Sequence, residues 1–226
     1  MLELNQYQDR YEASTELARI ITRELKLSAR QTGVASLVVP GGSTPELFLQ
    51  MLAAQKLEWG KIKIATTDER QVPLDHHRSN ARLIKRCFLD RLRIKPKFIA
   101  LDYMQELPQL AAQIDAEILP ATSCVLGMGN DAHTASLFPG FSNGWLNPDS
   151  PQSLAVVVPD GGLEARITMT ASALLQSRHL HVLIFGARKL EVLQQAASAG
   201  NDPAQPISCI LHHARTTVQV HYAPDV

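Results

Sequence analysis

Residues 36–52 read SLVVPGGSTPELFLQML. The apolar run Ser36 to Val39 is too short for a helix and stops at Pro40-Gly41-Gly42, after which Leu47, Phe48, Met51 and Leu52 recur at helical spacing. A buried strand, a glycine turn and an amphipathic helix thus follow one another, and the alternation continues on both sides. Upstream, Leu17, Ile20, Ile21 and Leu25 mark a helix over residues 11–27. Downstream come a strand at 62–67, a helical stripe through Leu83, Ile84, Cys87, Phe88 and Leu92, a short strand at 98–101 and a second stripe from Leu107 to Ile118. The second half carries apolar strands at 123–126, 154–158, 167–170 and 181–185, a helix through Leu190, Leu193 and Ala197, and a last strand near 217–222. Short Val/Ile/Leu runs between amphipathic helices predict an α/β fold with a mostly parallel sheet covered by helices on both faces, in one domain spanning residues 1–226.

Composition narrows the function classes. The 22 basic residues balance 22 acidic ones, so no global field recruits nucleic acid or a membrane, and any anionic ligand must be held by local groups. The N-terminus MLELNQYQDRYEAS has neither the basic start nor the apolar core of a signal peptide, and no run is long enough to span a bilayer. A cytoplasmic protein is expected. Cys87, Cys124 and Cys209 are far apart, form no CxxC pattern and read as small core hydrophobes. The pairs His76-His77, His179/His181 and His212-His213 have no carboxylate or thiolate partner at metal-binding spacing, so no metal is expected.

Ligands of open α/β sheets sit beyond the carboxyl ends of strands, which puts the loops at 40–45, 68–80 and 127–140 on one edge. In the first, Gly41 and Gly42 allow close backbone approach, Ser43 or Thr44 can cap the next helix, and Pro45 suits its first position. Such a junction aims free N–H groups at an anion, but it lacks the GK[ST] ending of a nucleotide-binding loop. In the second, Arg70 of Asp68-Glu69-Arg70 can grip a phosphate with its planar fork, leaving Asp68 to orient it or a substrate hydroxyl. Ser79-Asn80 starts the following helix, with Asn80 facing the same cleft.

The third loop, Gly127-Met128-Gly129-Asn130-Asp131-Ala132-His133, matches a loose G-x-G-x-x-A pattern, but Pro139-Gly140 interrupts any helix too soon for a dinucleotide fingerprint. No cofactor is expected. His133 sits at the ligand edge with an imidazole, a side chain suited to taking a proton near neutral pH. At Phe185-Gly186-Ala187-Arg188-Lys189 another strand turns into a helix, and a cation in that first turn opposes the helix dipole unless an anion binds there. Ser43, Thr44 and Ser136 lack a G-x-S-x-G context, which disfavours an acyl-enzyme.

Taken in order, PGGSTPELF, TDERQVP with HHRSNARL, LGMGNDAHTASLFPG, RITMTASAL and FGARKLEVL resemble the short bacterial 6-phosphogluconolactonases, within the glucosamine-6-phosphate isomerase/6-phosphogluconolactonase superfamily. The resemblance implies a Rossmann-like fold of the deaminase and ribose-5-phosphate isomerase type and metal-free hydrolysis of 6-phospho-D-glucono-1,5-lactone in the pentose phosphate pathway. It further implies His133 as general base supported by Asp131, Arg70 and Lys189 on the phosphate, a second cationic contact from Arg166, and the Gly41-to-Thr44 backbone lining the sugar. The chain departs from the pattern at Ala132, where glycine is usual before the histidine, at Ala81, and at Asp160–Ala165, which replaces a proline-rich lead into Arg166-Ile167-Thr168. An amino-sugar phosphate deaminase and a non-catalytic sugar-phosphate sensor are the alternatives.

Overall fold

Strand residues that alternate between two apolar faces need helices on both sides, and the chain supplies them. In the computed structural model, which describes residues 1–140, 144–159 and 162–225, seven strands form one all-parallel sheet. Their spatial order is β1 (Leu2–Gln6), β10 (Val218–Ala223), β9 (His179–Phe185), β6 (Ser123–Leu126), β2 (Ala35–Val39), β3 (Ile62–Thr66) and β5 (Lys97–Ile99). Leu37, Val39, Val125 and Leu183 point to one side, under α1 (Arg10–Thr32), α2 (Glu46–Ala53) and α3 (Asn80–Cys87). Val38, Cys124, Leu126 and Val182 point to the other, under α4 (Leu107–Glu117), α5 (Ala171–Leu175), α6 (Ala187–Ser198) and α7 (Ile207–His213). This period of two, buried on both faces, is why the strands read as unbroken apolar runs.

β2 and β6 are neighbours, yet the chain runs outward from β2 through β3 to β5 and from β6 through β9 to β10. The strand order therefore reverses between β2 and β6, and the loops after these two strands diverge around a crevice. Local chemistry sets the helix ends. Asp9 caps α1 by accepting from the Glu12 amide at 2.8 Å, and Gly33 ends it in the left-handed conformation, φ 82°.

Two expectations need correction. The strands at 154–158 and 167–170 do not join the parallel sheet: β7 (Leu154–Val157) and β8 (Arg166–Met169) pair antiparallel with each other and with β4 (Asp68–Arg70) in a separate three-stranded sheet. No helix is described between β7 and β8, and a parallel pair needs a crossover whereas an antiparallel pair needs only a turn. Asp68-Glu69-Arg70, read as loop, is that sheet's edge strand. β1, α5 and α7 carried no clear periodic signal; β1 is an edge strand with no fully buried residue. Asp160 and Gly161, and residues 141–143 of the loop 139–151, lie outside the described residues.

The parallel sheet also buries a polar chain under α1. Tyr7 Oη lies 3.0 Å from His221 Nδ1, His221 Nε2 lies 3.1 Å from His181 Nδ1, and His181 Nε2 lies 3.1 Å from Glu24 Oε2, which also accepts from Ser123 Oγ at 2.8 Å. Burial alone would raise the Glu24 carboxyl, but its bond to His181, the charge of that ring, Ser123 and His179 together hold it below its usual value. Burial, aided by the neighbouring His181 ring, pushes His221 down from 6.5 to about 3. The folded protein therefore keeps His221 neutral where the unfolded chain protonates it, so its contribution is full above pH 6.5 and is lost as pH falls toward 3. From this residue alone, moving from pH 7 to 5 is expected to cost about 2 kcal/mol of stability. Urea titrations at the two pH values check this: His221→Phe should flatten the acid limb, and an equally steep limb in the variant would refute it.

Candidate active site

The glycine loop after β2 bends as its sequence requires, but its cap differs from expectation. Gly42 has φ 85°, and a Cβ on Gly41 would overlap the Asn80 carboxamide, so both positions need glycine. Pro45 is the N-cap of α2, not its first residue, and neither Ser43 nor Thr44 makes a side-chain cap bond. Both hydroxyl residues instead line a cleft of about 570 Å³ together with Asn130, Lys189, Arg10 and Asp225. Among the described residues no hydrogen-bond partner takes the amides of Gly42, Ser43 or Thr44. Free amides beside a cation are an arrangement suited to an anion.

Lys189 lies in the first turn of α6, whose N-cap Gly186 offers no side-chain acceptor. Burial lowers the Lys189 pKa, opposed by Asp225, and Arg10 lowers it further. Asp225 pairs with Arg10 and packs on Gly186, where a Cβ would collide with its carboxylate. Arg10 and Asn130, which the sequence did not single out, enter through tertiary contacts alone.

The loop after β6 presents the histidine. The His133 ring lies over the Cα of Gly129, so tightly that any side chain there would displace it. Its Nδ1 stands 2.6 Å from Asp131 Oδ1 and its side chain is 34% exposed, so the ring opens to solvent. Burial would raise the Asp131 carboxyl, but the His133 charge and the bonds from its ring and backbone pull it below its usual value. An ionised Asp131 accepting from Nδ1–H leaves Nε2 as the free acceptor. Phe138 supports the ring at a centroid distance of 5.0 Å.

Ala132 and Ala135 flank the histidine with φ of 64° and 49°, a conformation that costs non-glycine residues about 1–2 kcal/mol each. The departure at Ala132 is thus a strained position. It is held by 2% exposure and by its carbonyl, which accepts from the Ile207 amide at 3.0 Å.

Asp68 and Asn80 are buried behind the histidine and glycine loops and do not line the cleft. Asp68 is 8% exposed, and its carboxylate accepts from Ser136 Oγ at 2.6 Å and Thr67 Oγ1 at 2.9 Å. Asn80 Nδ2 donates to the Asp68 carbonyl at 2.8 Å while its carboxamide packs on Gly41. The Asp68 carboxylate thus ties β4 to the histidine loop, and the Asn80 carboxamide carries the link on to the glycine loop; among the described residues the carboxylate's bonds go to Ser136, Thr67 and Asn80 and none to Arg70. Glu69 is buried at the start of α3, where it accepts from the Asn80 and Ala81 amides at 2.8 and 2.7 Å and from Ser79 Oγ at 2.9 Å. Burial pushes its carboxyl up against the pull of these donors. Ser79 caps α3 as expected, accepting from the Arg82 amide. Arg70 and Arg166 lie directly across from each other on β4 and β8.

Comparison with known proteins identifies the family and the fold. A family model described as "Glucosamine-6-phosphate isomerases/6-phosphogluconolactonase" matches residues 8–219. A Rhizobium meliloti 6-phosphogluconolactonase is 35% identical over 215 residues, 92% of this chain and 93% of that protein. The crystal structure of a 6-phosphogluconolactonase from Shewanella baltica superposes with TM-score 0.90 at 30% identity, covering 100% of this chain and 98% of that one. The fold is shared with a monomeric glucosamine-6-phosphate deaminase, TM-score 0.82 at 21% identity, over 99% of this chain and 97% of that one.

Proposed function

The chain belongs to the glucosamine-6-phosphate isomerase/6-phosphogluconolactonase family, and on that premise we propose that it hydrolyses 6-phospho-D-glucono-1,5-lactone to 6-phosphogluconate in the pentose phosphate pathway. The observation that carries the reading is a solvent-facing His133 with Nδ1 engaged by Asp131, on a loop adjoining a cleft that holds Lys189 and the glycine loop.

A lactone is an activated ester, so the chemistry needs little more than a deprotonated water and a stabilised oxyanion. His133 Nε2 takes a proton as the water oxygen bonds to C1, and charge gathers on the former carbonyl oxygen. Free loop amides are the donors suited to that charge. When the tetrahedral intermediate collapses, the bond from C1 to the ring oxygen breaks, and the leaving alkoxide takes the proton back from the imidazolium. Asp131 keeps the tautomer and steadies the transient positive ring. Lys189, Arg70 and Arg166 hold the phosphate, so that binding energy far from C1 places the carbonyl. The reaction uses no metal or organic cofactor, and the partner is a small phosphorylated lactone.

A coupled assay tests this, following 6-phosphogluconate formed from freshly generated lactone after subtraction of spontaneous hydrolysis. Catalysed formation is expected. Ammonia release from glucosamine-6-phosphate without lactone turnover would instead identify a deaminase, and tight sugar-phosphate binding with neither activity a sensor.

A further inference from the structure

A third arginine, Arg78, and a carboxylate, Glu164, lie beside Arg70 and Arg166 at the edge of the small sheet, and the lactone mechanism leaves both unused. Directly opposed cross-strand residues share one face, so the Arg70–Arg166 register brings two like charges together, an arrangement that destabilises a sheet. Arg166 is only 6% exposed, and burial followed by the charge of Arg70 lowers its pKa. Arg70 Nη1 donates to the Arg78 backbone carbonyl, which brings the Arg78 segment beside the pair. Arg78 Nη2 lies 3.2 Å from Glu164 Oε2, and the same oxygen lies 3.7 Å from Arg166 Nη1.

Among the described residues neither Arg166 Nη1 nor Glu164 Oε2 finds a hydrogen-bond partner, although both atoms are buried. The carboxylate is therefore a Coulombic partner in the wrong geometry: it offsets charge without satisfying the donor beneath it. A buried donor left unmade is costly, and a tetrahedral dianion, with three acceptor oxygens, would satisfy guanidinium forks that one side-chain carboxylate cannot. Glu164 also falls within Asp160–Ala165, the stretch where this chain departs from the pattern it otherwise resembles.

We propose that Glu164 is a built-in counter-anion at the phosphate end of the site, pairing with Arg78 and Arg166 when no substrate is present and competing with the substrate phosphate for them. Resting on the phosphorylated-lactone reading above, it makes Glu164 a determinant of affinity that takes no part in proton transfer. Its side chain is 26% exposed on a connecting segment, so yielding to phosphate requires no rearrangement of the core.

The test is calorimetric titration of inorganic phosphate into the full chain and into E164Q, E164D and R78Q, with lactone kinetics in parallel. E164Q is expected to bind phosphate about fivefold more tightly and to show a similar fall in KM, with kcat unchanged. E164D keeps the charge and should stay near wild type. R78Q leaves Glu164 to Arg166 alone and should bind phosphate more weakly. Unchanged or weaker phosphate binding by E164Q, or an effect confined to kcat, overturns the proposal while leaving lactone hydrolysis by the wild type intact. Tighter phosphate binding by E164Q, together with no lactone turnover by the wild type, supports the counter-anion and sinks the lactone reading.

Discussion

Replacing His133 with alanine is expected to lower kcat for catalysed lactone hydrolysis by about 10²–10⁴-fold, the range a positioned general base contributes. Removing the ring removes the proton acceptor proposed for the attacking water, while the proposed substrate contacts of Lys189, Arg70 and the free amides are left in place. KM should therefore change less than kcat. His133→Gln separates chemistry from packing, since an amide retains bulk above Gly129 and a donor toward Asp131 but cannot accept the proton at neutral pH. Both variants should keep the wild-type circular dichroism spectrum, because the side chain is partly exposed and its pair with Asp131 is open to solvent. Near-normal kcat in either folded variant would eliminate His133 as base.

Asp68→Ala should do its damage through the architecture. The substitution leaves the hydroxyls of Ser136 and Thr67 without their acceptor in a buried setting, at about 1–3 kcal/mol for each unsatisfied group. It also strips a negative charge from the neighbourhood of Arg166, whose pKa Asp68 supports. A loss of about 3 kcal/mol lowers the thermal midpoint by roughly 6–12 °C for a chain of this size. Because Ser136 belongs to the loop that carries His133, kcat should fall as well, even at temperatures where the variant is fully folded. Asp68→Asn, which can still accept from one hydroxyl, should recover part of the stability. An unchanged midpoint for Asp68→Ala would show that the three loops are held by other contacts.

Much of the catalytic edge can be read without coordinates, because it depends on local rules. A short apolar run followed by glycines and a capped or proline-led helix is a strand-to-helix junction wherever it occurs, and the repetition of that junction at 39–46 and 185–189 marks the carboxyl edge of a parallel sheet. His133 and Asp131 are two residues apart, so their pairing is likewise a local matter.

What sequence could not decide has one common cause: it turns on partners distant along the chain. Asp68 and Ser136 are 68 residues apart and Asp68 and Asn80 are 12 apart, and no periodicity links them. The helix-cap role of Glu69 and the gathering of Arg70, Arg78, Arg166 and Glu164 depend on an antiparallel sheet of which two strands read like members of the parallel one and the third, Asp68–Arg70, reads as loop. Burial pattern along a strand reports that both faces are covered but says nothing of a neighbour's direction, since hydrogen-bond pairing leaves no mark on side-chain identity. The amino-acid order thus determined the helix layers, the carboxyl edge of the parallel sheet and the loop that carries His133. Tertiary structure alone decided which charges meet, because electrostatic partners are chosen by distance in space and the chain records only distance along itself.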